Sequence, residues 1–210
     1  MVVRKKGIMF VLSSPSGVGK TTLTKKLARN NKNFEISISY TTREPRPNEI
    51  NGKDYYFVKK EKFDSLIKSD NFFEYAKIFN NYYGTSKEAV INRLSHGKDV
   101  LFDIDWQGTQ QLKEIKNLSL VTFFILPPNI EVLRNRLLKR HEGQTKLIEE
   151  RMHKFSEEVS HWKEYNYVVV NDDLDICYAD ILEIIISEKK GIVMKQNFSQ
   201  IKKIVEKLIK

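Results

Sequence analysis

"SSPSGVGKTT", residues 13–22, follows directly on the apolar run of residues 8–12 and opens onto a stretch with helical spacing. Gly19, Lys20 and Thr21 match the end of a phosphate-binding loop, and Gly17 adds freedom within the turn. The physics is direct. Backbone N–H groups converge on a phosphate, and the helix that starts near Thr21 points its positive end at the same place. Lys20 adds a point charge, and the Thr21 hydroxyl suits Mg²⁺. One position departs from the pattern: Ser14 stands where the first glycine is expected. A serine serves there only if the backbone angle is one a Cβ tolerates.

Working outward, residues 8–12 read as a buried strand and 21–30 as a helix with Leu23 and Leu27 on one face. Residues 34–40 alternate and read as one half-exposed strand. Residues 54–81 are rich in Tyr and Phe, with a short helical piece near 61–68 and small strands around it. Further on come a helix at 86–95, a strand at 100–105 that ends in acids, and an apolar strand at 120–126 stopped by Pro127 and Pro128. Helices at 130–139 and 147–160, a strand at 167–170 and a helix at 175–188 complete the order. Strands alternating with helices imply an α/β fold, a mostly parallel sheet flanked by helices. Ligands of such sheets bind at the carboxyl ends of the strands, where the loop, Asp103, Asp105 and Asn171 all fall.

The 210 residues are 40% apolar, enough for one well-buried domain with a small subdomain. A net charge of +9 suggests polyanion partners. Much of the excess sits in residues 189–210, which hold seven lysines against one glutamate. There Ile201, Ile204, Val205 and Leu208 line one face, so the tail reads as a basic amphipathic helix for the body or for a second subunit. That leaves a homo-oligomer open. Cys177 is the lone cysteine, which excludes an internal disulfide and fits a reducing cytoplasm. No apolar stretch approaches the roughly 18 residues of a membrane span, and stable membrane association is not expected. His96, His141, His153 and His161 are scattered without metal-ligand spacing. Cys177, Trp106 and Trp162 read as packing residues.

A second anion site is signalled by Arg43 and Arg46, three apart, because guanidinium forks match phosphate oxygens. Tyr55 and Tyr83 offer further donors, with core aromatics as the alternative reading. Glu74 and Asp105 are acceptors once ionised. A guanine presents N1–H and N2–H₂ donors on one edge, and paired carboxylates suit that edge. Adenine would leave them unpaired, and sites of that kind discriminate by roughly 10⁴- to 10⁵-fold.

With these residues, "TTREPRPNEINGKDYYF", "NYYGTS", "DIDWQG" and "VVNDDL", the sequence resembles the guanylate kinase family from about residue 7 to 188. The resemblance implies a P-loop NTPase core (7–36 and 96–188), a GMP-binding subdomain (about 37–90) and a helical lid (about 136–160), with the basic extension 189–210 outside. It implies transfer of the terminal phosphoryl of ATP to GMP, and to dGMP, with Mg²⁺ as cofactor. ATP is expected on Ser14, Pro15, Ser16, Gly17, Val18, Gly19, Lys20, Thr21 and Thr22, with Asn171 and Asp172 beside the adenine and Thr21 on the metal. The GMP phosphate falls to Arg43, Arg46, Tyr55 and Tyr83, and the base to Ser39, Glu74, Thr85 and Asp105. Asp103 matches an acid near the metal and phosphates. Lys20, Arg43, Arg140 and Arg151, together with Arg136, are the expected charge-stabilising set. "KRHEGQTKLIEERM" departs by carrying His141 and Glu142 where glycine and a small polar residue often stand.

Two rivals belong to other classes. One is a peptide-binding relative that has lost catalysis, opposed by the intact Lys20 and Thr21. The other is a kinase for AMP or dTMP, opposed by Glu74 and Asp105. Small nucleotides, not nucleic acid, are the expected partners.

Overall fold

The computed structural model describes residues 6–140 and 144–209; the departures at His141 and Glu142 lie outside them. A five-stranded sheet forms the centre, ordered β2-β7-β1-β8-β9. Its strands are β1 (Met9–Ser13), β2 (Phe34–Ile36), β7 (Asp99–Asp103), β8 (Leu120–Leu126) and β9 (Tyr167–Val170), every pair of them parallel. β1 is buried throughout and splits its side chains between two cores. Phe10 and Leu12 join one cluster, Met9 and Val11 the other. A continuous apolar run is what a strand covered on both faces requires.

The first cluster is covered by α1 (Lys20–Asn30), α5 (Ile130–Arg140), α6 (Thr145–Ser160) and α7 (Leu174–Lys189). The second is covered by α3 (Lys87–Ser95), through Val90, and α4 (Trp106–Glu114), through Leu112. A mixed four-stranded sheet, ordered β4-β3-β6-β5, stands apart. It consists of β3 (Tyr40–Thr41), β4 (Tyr56–Phe57), β5 (Phe72–Ile78) and β6 (Asn81–Ser86), with α2 (Lys60–Lys68) packing Phe63 beside Phe72 and Tyr82.

Two sequence readings need correction. The alternating stretch 34–40 is not one strand. The chain leaves the central sheet after Ile36, its last ladder contact being Ser37 N–H to the Leu101 carbonyl (2.9 Å), and joins the second sheet at Tyr40. Alternation reports a half-buried strand but not which sheet it belongs to. The stretch 100–105 ends as a strand at Asp103, and Asp105 instead caps α4, accepting from the Gly108 amide at 3.0 Å. That helix was missed, although an Asp before a polar turn is an N-cap signal.

The basic tail folds back on the body. Asn197 caps α8 (Phe198–Leu208), whose Ile201, Val205 and Leu208 are buried in the first cluster. The segment before it lies along β9. Gln196 accepts from the Val168 amide (2.7 Å) and donates to the Val168 carbonyl (2.9 Å), so one carboxamide satisfies both free groups of an edge-strand residue. At the far sheet Gln111 of α4 does the same for Tyr75 on edge strand β5 (3.1 and 2.8 Å), tying that sheet to the core. Among the described residues no helix is long and apolar enough to cross a membrane.

Gln196→Ala removes two hydrogen bonds of about 1 kcal/mol each and exposes an edge. It should lower the melting temperature by roughly 2–8 °C, read by calorimetry. An unchanged transition would show that the tail is held by its apolar face alone.

Candidate functional site

The carboxyl ends of β1, β7 and β9 open into a cleft of about 760 Å³ between the central sheet, the second sheet and helices α5 and α6. Its floor is the loop between β1 and α1. Gly17 and Gly19 take left-handed angles (φ 91° and 105°), which a Cβ would strain. Ser14 is not among the positive-φ residues, so a serine fits where the pattern has glycine. Asn171, at the end of β9 and buried, donates from Nδ2 to the Val18 carbonyl (2.7 Å). A Cβ on Gly19 would lie 2.6 Å from that same nitrogen. Arg136 also reaches the Val18 carbonyl (3.2 Å) and continues to the carbonyls of Asn171 (2.9 Å) and Asp172 (3.2 Å).

Lys20, at the first turn of α1, pairs with Asp103 (2.5 Å) and donates to the Ile104 carbonyl (2.9 Å). Across the cleft Arg43 donates from Nη2 to both oxygens of Glu49 (2.9 Å each), while the Arg46 amide donates to the same carboxylate (2.8 Å). Arg43 also lies near the rings of Tyr55 and Phe57, and Tyr55 meets Tyr83 edge-on. Burial opposes the charge on Arg43, but Glu49 outweighs it and the guanidinium is held above its usual value. Arg46 and Arg151 go the other way. Burial lowers both, with Arg140 adding to each, and Arg151 falls to about 10. The site thus gathers four guanidiniums that repel one another until an anion enters.

The far wall is acidic. Glu74 on β5 is buried, and burial pushes its carboxyl up to about 7, Asp105 adding to the shift and Thr85 opposing it. Burial raises Asp105 as well, against the Gly108 amide and Lys20. Gly108 leaves room for this arrangement, since a Cβ there would sit 2.5 Å from Glu74 Oε2. Ser39 and Thr85 share a buried hydroxyl contact at 3.1 Å beside them. Two buried carboxyl groups facing a cleft, both harder to ionise than in water, suit a planar ligand whose N–H donors would stabilise their charge.

Every residue singled out in the sequence lines the cleft except Thr85, which stands behind Ser39, and Asp172, which presents its carbonyl to Arg136. Three lining carboxylates were missed: Glu49, Asp54 and Glu158. Glu49 lies in a loop three residues after Arg46, where that spacing carries no signal of its own. Glu158 lies seven residues after Arg151, hence on the same face of α6. Phe79, at the β5–β6 turn, was missed too; it lies under Arg151 and Lys154 (5.3 and 4.4 Å to the ring centroid) and joins the second sheet to α6. Its φ of 54° is strained for a bulky residue, and nothing in residues 72–86 signals it. Among the described residues no three His, Cys, Asp or Glu side chains could hold a metal by themselves. Thr21 and Asp103 are hard oxygen donors at the loop, the kind that completes a Mg²⁺ shell together with phosphate oxygens.

A family profile described as guanylate kinase matches residues 6–188. The guanylate kinases of Novosphingobium aromaticivorans and Maricaulis maris are each 46% identical to this chain, covering 89% of it and 85% of their own length. The crystal structure of guanylate kinase from Anaplasma phagocytophilum superposes with a TM-score of 0.73 at 35% identity, covering 92% of this chain and 89% of that one.

The raised Glu74 carboxyl has a stability consequence. Its folded value lies above its unfolded one, so the native state binds the extra proton and stability falls as pH rises from about 4.5 to about 7. Glu74→Gln should therefore melt above wild type at pH 8 and lose that advantage near pH 4.5, by at most about 1.4 kcal/mol per pH unit. Melting curves of the unliganded pair with no pH-dependent gap would show that Glu74 ionises as if solvated.

Proposed function

The chain belongs to the guanylate kinase family and phosphorylates GMP at the expense of ATP, and on that premise we propose how its residues divide the work. The observation that carries the division is the polarity of the cleft: a glycine-shaped loop with Lys20 on one side, Arg43 and Arg46 opposite, and a pair of buried carboxyls beyond them.

ATP lies on residues 14–22, its phosphates on the loop amides and Lys20, its adenine beside Asn171 and Asp172. GMP places its phosphate between Arg43, Arg46, Tyr55 and Tyr83. Its guanine donors meet Glu74 and Asp105, backed by Ser39 and Thr85. Donors on the base satisfy buried acceptors whose ionisation is otherwise opposed by burial, and this is the source of base selectivity. The groups named address base and phosphate and none the 2′ position of the sugar, so dGMP is a second acceptor.

Thr21 and Asp103 would hold Mg²⁺, which when bound to ATP offsets phosphate charge. Asp103 is at present the counter-ion of Lys20, and Glu49 that of Arg43. Both pairs hold the cations in orientation. The acceptor is already a phosphate oxygen, so no strong base is required. The obstacle is repulsion between two polyanions in line. Lys20, Arg43, Arg140 and Arg151 offset it by facing the transferred group. Arg136 acts one step back, since its guanidinium holds the carbonyls of Val18, Asn171 and Asp172 and with them the loop. The contact of Phe79 with Arg151 and Lys154 joins the GMP side to the lid, so closure over one substrate draws in the other and excludes water. Cys177, free and buried, suits a reducing compartment, and the reaction is assigned to the cytoplasm.

Three outcomes test the division. ADP release supplied with GMP, dGMP, AMP or dTMP should be fast with the first two alone; comparable rates with AMP would remove Glu74 and Asp105 as base readers. Arg43→Ala should lose about 10³-fold or more in turnover with an intact fold by circular dichroism. Near-normal turnover would take Arg43 out of the transfer step. Glu74→Gln should raise KM for GMP at least about tenfold while ATP affinity holds. Equal losses for the two nucleotides would contradict its place at the guanine.

A further inference from the structure

Among the described residues, the division leaves the one cleft carboxylate carried within a helix without a role. Glu158, in the last turns of α6, accepts from the backbone N–H of Ser16 at 3.2 Å. Ser16 belongs to the phosphate loop, whose amides are the groups that hold phosphate oxygens. Arg151, two turns earlier on the same face of α6, donates to the Ser16 hydroxyl. One helix therefore grips both polar groups of a single loop residue. The grip occupies ground that a triphosphate needs.

We propose that Glu158 is a positioning residue that occupies the place of a phosphate oxygen on the loop and must release the Ser16 amide when a nucleoside triphosphate enters. The idea rests on the reading of the loop as the ATP site. A carboxylate and a phosphate oxygen cannot share one N–H without like charges in contact. Glu158 has two ways out: α6 carries it away, or it takes a proton from solvent and ceases to repel. The surroundings favour the second near neutrality. Burial raises its carboxyl to about 7, and Asp105, ahead of α4, adds to the shift. The Ser16 amide, Arg151 on α6 and Lys20 on α1 oppose it. Asp103 on β7 partly neutralises Lys20, and Arg140 at the end of α5 repels Arg151.

The test is calorimetric binding of MgATP, without GMP, to wild type, Glu158→Gln and Lys20→Ala between pH 6 and 8.5. At pH 8 a carboxyl titrating near 7 is protonated in about one molecule in ten, so Glu158→Gln should bind up to about tenfold more tightly than wild type there and within about twofold of it at pH 6. Wild type should take up a proton on binding at pH 7.5, seen as a dependence of the heat on the buffer's ionisation enthalpy, and the variant should not. In turnover, KM for ATP should fall and KM for GMP should stay. Binding by Glu158→Gln that is equal or weaker at pH 8, or a pH profile parallel to wild type, overturns the proposal. Should that variant fail to fold, Glu158→Asp, with a shorter reach, is expected to tighten MgATP at pH 8, and wild-type affinity in it would be equally fatal. If wild type fails to bind MgATP at any pH, or Lys20→Ala binds as well as wild type, the assignment of the loop itself falls, and the latch with it.

Discussion

The carbonyl of Val18 is the point on which the site is built. Two positive-φ glycines flank it, and Asn171 and Arg136 fasten it from the β9 side. Without that anchor the loop would sample many shapes, since glycines lose more freedom on ordering than other residues. With it, the amides between β1 and α1 are aimed before any ligand arrives. The anchor also couples distant parts of the chain. The last strand of the central sheet and helix α5 meet at one oxygen atom.

Around this rigid floor the charges are arranged against the protein's own stability. Arg46 and Arg151 are lowered by burial and by neighbouring guanidiniums, and Glu74, Asp105 and Glu158 are raised by burial. Internal partners take the strain: Asp103 for Lys20, Glu49 for Arg43, Ser16 for both Arg151 and Glu158. Asp103 and Glu49 meet Lys20 and Arg43 with the negative charge such cations attract. Sites that hold their groups in this fashion sacrifice stability for a geometry that is ready in advance.

Much of this was legible in the sequence. The runs at 8–12, 120–126 and 167–170 became β1, β8 and β9 with little change, because strands buried on both faces need only apolar residues and a stop. The tail's apolar stripe predicted a docked helix, and Ile201, Val205 and Leu208 are its buried side. What failed had a common cause. The stretch 34–40 alternates correctly but changes sheets midway. The helix at 106–114 is held by Asp105, whose dual part as cap and cleft acid no local pattern shows. Most of the residues singled out by the motifs line one cleft, Thr85 and Asp172 excepted. Glu49 and Glu158 did not announce themselves, since an acid in a loop or on a charged helix usually faces water. Only the placement of Arg43 and Ser16 in three dimensions gives these carboxylates their meaning.

The two glutamines at the sheet margins bear on how copies of this chain can meet. A bare outer strand invites a neighbour to extend the ladder, the route to runaway fibrous assembly. At Val168 and at Tyr75 the invitation is already answered from within the same polypeptide. A second molecule approaching there finds no vacant peptide groups at those rungs. At those two positions an intermolecular ladder would first have to evict a glutamine of its own chain.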